Sequence, residues 1–368
     1  MAKMLLGFGL KHGDVIGIMA YNRYEYIETF LAGGRIDCPV VLMNNMFSPV
    51  ELEHAMGPGI RLGHFRATDA ELEAAESLVV VNDILNLQFT SGTTGRPKAA
   101  CFTHRNILND AMFVGAAMKL TLADVVSCPP PLFHCFGLVM GFLASFHHGS
   151  SIVFPSDTFN AEKTIESVIN DRVTALLGVP TMFFAQLELL NKHKDRFGTF
   201  TTARTGLAAG AQVPAQLMDI ILKRMNIPSL LIAYGMTETS PATFITAIED
   251  NEEKRLHTIG RVLPHTDVKV VDSRGRILPI GQRGDICTAG FPLQRGYWLD
   301  KEKTQEVMHV DEQGVRWMHT GDEGYLDAGG YCYVTGRIKD LIIRGKPRLL
   351  HFSPSISLSK ILPPFRLT

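Results

Sequence analysis

No two of the six cysteines form a Cys-x-x-Cys pair; they are scattered at positions 38, 101, 128, 135, 287 and 332. Neither a zinc motif nor a disulfide framework is indicated by that spacing, and reduced intracellular thiols are the plain reading. An excess of charge of either sign is missing too. Lys+Arg number 36 against 37 Asp+Glu, a formal net charge of −1 with the signs interspersed. A nucleic-acid partner would want a basic face, so none is expected. The longest apolar stretch, residues 135–146, is too short to span a bilayer and carries internal glycines, which makes it a core helix. The apolar start, residues 1–8, is short and is followed by Lys11-His12-Gly13-Asp14 rather than a small-residue cleavage pattern, so it reads as the beginning of the fold. A peroxisomal Ser-Lys-Leu ending, a Gly-x-Ser-x-Gly elbow, tandem repeats and low-complexity tracts are all lacking. The expectation is a soluble intracellular protein, cytoplasmic by default, with mitochondrion, peroxisome and oligomeric state left open.

What is present is ordinary globular composition, 46% hydrophobic and 20% charged over 368 residues. That is chain enough for two or three domains. Apolar strand patterns at 15–20 and 39–43 alternate with helix patterns at 24–32 and from Ser48, where Ser48, Pro49 and Glu51 predict a capped start. Strand, helix, strand, helix predicts a parallel sheet covered by helices. A short acidic helix is expected over 70–77. The pattern continues with strands at 124–128, 151–154, 173–177 and 230–233, and with helices at 161–170, 180–192 and 214–225. From about Ile259 the character changes. Asp272-Ser273-Arg274-Gly275 between two apolar runs is a hairpin signal, and short strands at 285–288 and 331–335 with one helix at 301–308 predict a small β-rich subdomain.

The densest stretch is Thr90-Ser91-Gly92-Thr93-Thr94-Gly95-Arg96-Pro97-Lys98, read as a loop between a buried strand at 84–89 and a helix that Thr103 begins. Four hydroxyls and free backbone N–H groups can donate to phosphate oxygens; the glycines admit close approach and Lys98 adds a point charge. No Gly-Lys-Ser/Thr ends the string, so it is not the nucleotide-triphosphatase P-loop. It resembles the phosphate loop of the AMP-forming acyl-CoA synthetases, a branch of the adenylate-forming ligases. Leu87-Gln88-Phe89 before it and Thr103-His104-Arg105-Asn106 after it resemble the medium-chain fatty acid branch.

That resemblance implies an α/β fold, the large N-terminal domain of the adenylate-forming ligases with helix-covered sheets and a small β-rich subdomain, the C-terminal lid domain being absent. The implied division is 1–258 for the AMP-binding α/β region, with an apparent internal deletion near 57–80, then 259–345 up to the hinge and a basic tail at 346–368. The resemblance extends to Tyr234-Gly235-Met236-Thr237-Glu238, where Glu238 would hold Mg²⁺ on the triphosphate, Thr237 would donate to phosphate and Tyr234 would stack near adenine. In Thr320-Gly321-Asp322, Asp322 would take both ribose hydroxyls, with Arg337 pairing to ribose or phosphate and Asp340 at the hinge. Gly210, in the small-residue turn 206–211, would lie against the purine, and His134 near the acyl group. Lys98, Glu238 and His134 are the expected catalytic residues. The implied reaction is ATP-dependent activation of a fatty acid to acyl-adenylate and then, with CoA, to acyl-CoA, impaired by the missing lid. A non-catalytic ATP- or acyl-binding remnant and an aryl-CoA ligase are the alternatives.

Overall fold

The computed structural model describes residues 1–49, 51–52, 67–90, 97–193, 195–338, 341–342 and 349–350. Three main sheets carry the chain. In the first, β1 (Ile16–Ile18), β2 (Val40–Leu42) and β3 (Ile84–Thr90) run parallel, and β4 (Lys98–Thr103) closes the edge antiparallel to β3. The second has seven strands in the order β11-β10-β9-β8-β7-β5-β6. Its parallel part is β5 (Val125–Ser127), β6 (Ser151–Val153), β7 (Ala175–Gly178), β8 (Thr205–Ala208) and β9 (Ser229–Gly235). Strands β10 (Ala242–Ile245) and β11 (Arg261–Val262) turn back antiparallel at its edge. The third sheet is wholly antiparallel: β12 (Thr266–Val271), β13 (Gly284–Gly290), β14 (Met308–Val310), β15 (Arg316–Leu326) and β16 (Cys332–Arg337). Leu341–Ile342 and Leu349–Leu350 form a separate antiparallel pair, β17 and β18.

Of the parallel strands, β2, β7 and β8 are buried along their whole length beneath covering helices. The helix Ala161–Asn170 starts where Asn160 Oδ1 accepts from the Lys163 N–H at 2.9 Å, and it buries Ile165 and Val168. Pro180–Lys192 starts on a proline at its first helical position and buries Phe183, Leu187 and Leu190. These side chains share one core with Leu176, Leu217, Ile221 and Leu230. Burying a Leu, Ile or Phe of this kind contributes about 1.5–3 kcal/mol. The capping box predicted at Ser48 is present: Ser48 N–H and Oγ donate to Glu51 Oε2 at 2.8 and 2.7 Å. The hairpin at 272–275 is present as well, with Gly275 N–H on Asp272 O at 2.9 Å and Val271 facing Ile277.

Several elements differ from the sequence reading. The string 90–98 does not lead from strand to helix. It joins two antiparallel strands, because Lys98–Thr103 pairs along β3 before the helix His104–Ala117 begins. Thr103 is still the cap: its Oγ1 accepts from Asn106 N–H at 3.2 Å, and Asn106 Oδ1 accepts from Thr103 N–H at 2.8 Å. Within 206–211, residues through Ala208 are buried strand β8, and the turn comes after them. The core helix at 135–146 is a π-helix over Phe136–Leu143 that passes into an α-helix at Ala144–His148. Its close approach to the preceding prolines requires glycine, since a Cβ on Gly137 would strike the carbonyl oxygens of Pro130 and Pro131. The helix predicted over 214–225 has Pro214 as its N-cap and changes from α to π at Ile221.

Candidate active site

Strand β9 delivers Tyr234 at its C-terminal end, and the chain then turns through a short 3₁₀ segment, Thr237–Thr239, that carries Glu238. Ligands in open α/β sheets sit at such strand ends. Gly235 is required there, because a Cβ would meet the Pro241 carbonyl where β10 returns. Thr239 Oγ1 locks the turn by accepting from Met236 N–H at 3.1 Å.

Two clusters form around this strand end. In the first, Tyr234 donates to Asp322 Oδ2 at 2.5 Å, and Arg337 Nε lies 2.8 Å from Asp322 Oδ1. Asp322 and Arg337 are direct partners across β15 and β16, and the Gly321 before them has φ +73°. The Thr-Gly-Asp string is thus part of a long strand rather than a turn, and it places a buried carboxylate beside a half-exposed guanidinium. Burial and the neighbouring Asp322 charge push the Tyr234 hydroxyl well above the usual tyrosine pKa, so it remains a donor.

In the second cluster, the Tyr297 hydroxyl donates to Glu238 Oε1 at 2.7 Å, and Lys98 Nζ lies 5.1 Å from the centre of the same ring. Tyr297 is nearly buried, and burial together with the Glu238 charge keeps its hydroxyl protonated. The segment around it is stitched to β4. Cys101 N–H donates to Gly296 O at 3.0 Å, Arg295 N–H to Cys101 O at 2.8 Å and Trp298 N–H to Ala99 O at 2.7 Å. Gln294 N–H donates to Glu238 O at 3.0 Å. Tyr297 was not picked out by sequence reasoning; a Gly-Tyr-Trp string has no local mark of function.

Around these clusters, Cys135 Sγ is 3.8 Å from Thr237 Oγ1 and 3.7 Å from His134 Nδ1. His134 Nδ1 faces Phe136 N–H at 3.1 Å, which fixes the ring and leaves Nδ1 as acceptor. The residue is partly open to solvent, yet the surrounding protein lowers its pKa by loss of hydration. Gly210 is exposed just past β8 with φ +83°. Thr90, Pro97 and Lys98 are the described ends of the string 90–98, whereas Ser91, Gly92, Thr93, Thr94, Gly95 and Arg96 lie outside the described residues, as does Asp340.

The architecture is that of the N-terminal domain of adenylate-forming ligases: ATP-bound MatB from Rhodopseudomonas palustris superposes with a TM-score of 0.80 at 23% identity, over 95% of this chain and 73% of that one. The AMP-binding enzyme family matches residues 63–298. Acyl-CoA ligase sidI of Aspergillus fumigatus is 41% identical over 399 residues, 94% of this chain and 67% of that protein. A mitochondrial medium-chain acyl-CoA ligase of Bos taurus is 30% identical over 411 residues, 94% of this chain and 66% of that protein. This chain therefore belongs to the AMP-binding enzyme family, within its AMP-forming acid–CoA ligases. It spans about two thirds of the length of these two curated relatives.

Proposed function

We propose that this chain binds ATP at the end of β9 and activates a medium-chain fatty acid as its acyl-adenylate, with CoA as the acceptor. A carboxylate oxygen of the acid attacks the α-phosphorus, the bond to the bridging oxygen breaks and pyrophosphate leaves. The CoA sulfur then attacks the acyl carbon and AMP departs. Little of this needs covalent help from the protein; positioning and charge neutralisation dominate.

The observation that carries the reading is the convergence of Lys98 and Glu238 on Tyr297. A cation that follows the hydroxyl- and glycine-rich string and a carboxylate at a strand end, 140 positions later (238 − 98), meet at one ring. Lys98 would neutralise phosphate charge. Glu238 Oε2 carries no hydrogen bond to a described residue, so a hard oxygen donor remains for Mg²⁺ while Tyr297 holds the other oxygen. The ion would supply charge neutralisation on the phosphates. In the other cluster, Asp322 would accept from the ribose hydroxyls and Arg337 would pair with ribose or phosphate oxygens. Gly210 would admit the adenine edge, and Thr237 would donate to phosphate. His134, beside Cys135 and Thr237, would face the reacting carboxylate. The medium-chain preference rests on the bovine relative and on the flanks of the phosphate string.

Acid-dependent ATP–pyrophosphate exchange with octanoate, compared with benzoate, tests this. Octanoate-dependent exchange that disappears in Glu238→Ala is the expected result. Faster exchange with benzoate would replace the fatty acid by an aryl acid. No exchange with either acid, while ATP still protects against heat unfolding, would leave nucleotide binding without adenylation. No described helix is long and apolar enough to cross a membrane.

A further inference from the structure

In the third sheet, Cys287 on β13 and His319 on β15 are direct cross-strand partners. Asp285 lies two residues before Cys287, on the same face of the strand. His319 Nδ1 is 2.6 Å from Asp285 Oδ2 and 3.4 Å from Cys287 Sγ. Ligand atoms of the three residues all lie within 4.8 Å of one another. Cys287 forms the buried floor, while the side chains of Asp285 and His319 keep 18% and 34% of their exposure and form an open rim.

Which atoms converge decides what kind of site this is. A nucleophilic Cys-His-Asp relay uses both ring nitrogens, one toward the sulfur and the other toward the carboxylate. Here sulfur and carboxylate face the same Nδ1, so the ring cannot pass a proton between them. Oxygen, sulfur and nitrogen gathered within 4.8 Å of one another are instead a donor set that suits a small cation. A further oxygen, Asp285 Oδ1, is buried without a hydrogen-bond partner among the described residues.

We propose that Asp285, Cys287 and His319 bind a single thiophilic divalent cation, Zn²⁺ by the chemistry of the donors, with solvent in the fourth position. Thiolate, imidazole and carboxylate together suit zinc rather than magnesium or calcium. Bonds of about 2.0–2.3 Å in a tetrahedron separate ligand atoms by roughly 3.3–3.7 Å. The Cys287–His319 spacing already fits, and the Asp285–His319 contact has to open by less than about 1 Å, within reach of a side-chain rotation. Lys269 lies opposite Cys287 on β12, its ammonium 3.9 Å from the centre of the Trp317 ring and 4.0 Å from Asp311 and near enough for its charge to act on the thiol. His309 flanks the rim, its ring 4.9 Å from that of His319. The three donors come from two strands, and for that reason cysteine spacing in the sequence is silent about them. Bound there, the ion pins β13 to β15 three residues before Asp322.

The thiolate, not the thiol, is the ligand, so the ion has to displace a proton from Cys287. Apparent affinity then tightens about tenfold per pH unit across the neutral range. The test is titration of chelator-stripped protein with Co²⁺, followed by Zn²⁺ competition and by melting with and without Zn²⁺. The expected result is one thiolate-to-cobalt charge-transfer band per chain, displaced by Zn²⁺, with micromolar Zn²⁺ raising the melting temperature. Cys287→Ser abolishes the band, and His319→Gln weakens binding at least about tenfold. Should Cys287→Ser misfold, His319→Gln and Asp285→Asn, at partly exposed positions, decide the matter. No band in the wild-type protein, an undiminished band in these variants, or binding only at millimolar cation would overturn the proposal and leave an Asp285–His319 hydrogen bond beside a buried thiol.

Discussion

Tyr297 holds Glu238 by a 2.7 Å hydrogen bond while its ring faces the Lys98 ammonium at 5.1 Å. One side chain thus sets the positions of both groups expected to meet the phosphates. Tyr297→Phe keeps the ring and its cation–π contact and deletes the hydrogen bond. A hydrogen bond to a charged group contributes about 1.5–3 kcal/mol, so pyrophosphate exchange should fall by about 10–100-fold with the fold intact. The loss should be concentrated in the Mg²⁺ dependence, because Glu238 is then free to rotate. Exchange measured against Mg²⁺ concentration in both proteins checks this. An unchanged profile would make Tyr297 a packing residue.

Asp322 is the shared acceptor of Tyr234 and Arg337. Asp322→Asn removes the charge that Arg337 pairs with and weakens the acceptor proposed for the ribose hydroxyls. ATP affinity, measured by calorimetry, should weaken about 10–100-fold. Arg337→Ala should cost less, since that side chain is 57% exposed and solvent screens it. The reverse order of effects would mean that Arg337 makes its main contact with the nucleotide rather than with Asp322.

Which of these features could be read from the sequence follows from how local their causes are. The helix 161–170 was legible because a capping asparagine and an apolar stripe act within one turn of each other. The helix 180–192 was legible from its initial proline, and the hairpin at 272–275 from Asp-Ser-Arg-Gly. Strand β4 was not. Lys-Ala-Ala-Cys-Phe-Thr has little intrinsic strand preference, and pairing along β3 decides its conformation. The π-helix 136–143 was read as helix but not as π, since a segment buried on every side has no periodicity to measure. At the site, Glu238 and Asp322 stood out through ordered motifs. Tyr297 gains its meaning from a contact across 59 positions, which no local pattern records.

Asp124 links the second sheet to the segment before β8. It is 4% exposed, and its oxygens accept from Arg204 Nε at 2.9 Å and Nη2 at 2.7 Å, from Thr174 Oγ1 at 2.6 Å and from Thr121 N–H at 2.9 Å. Burial alone would raise its pKa; the hydrogen bonds from Arg204, Thr174 and Thr121 outweigh that and bring it down to about 2. A depressed carboxylate stabilises the fold above its unfolded pKa, near 4, and that contribution, on the order of 2 kcal/mol, is lost as pH falls toward 2. Arg204→Ala should cost about 2–4 kcal/mol at neutral pH, because it strands a buried charge. Urea unfolding at pH 7 and pH 3 should show the gap between wild type and Asp124→Asn narrowing in acid.

Asp110 presents the opposite sign. It is fully buried in the helix His104–Ala117, and its oxygens lie 3.2 and 3.4 Å from the Ala242 N–H. Burial raises its pKa well above the usual carboxylate range, against the smaller opposing effect of the Ala242 hydrogen bond. The folded protein therefore holds a proton that the unfolded chain releases, and stability must fall as pH rises through the raised pKa. Asp110→Asn keeps an acceptor for Ala242 and abolishes the ionisation. Its melting temperature relative to wild type should climb steadily as pH increases, whereas Asp110→Ala, which leaves the Ala242 N–H unpaired, should lose about 1–3 kcal/mol at low pH. Melting curves of the three proteins across the pH range separate the two effects. A constant offset between wild type and Asp110→Asn would show that Asp110 does not change its charge between the folded and unfolded chain.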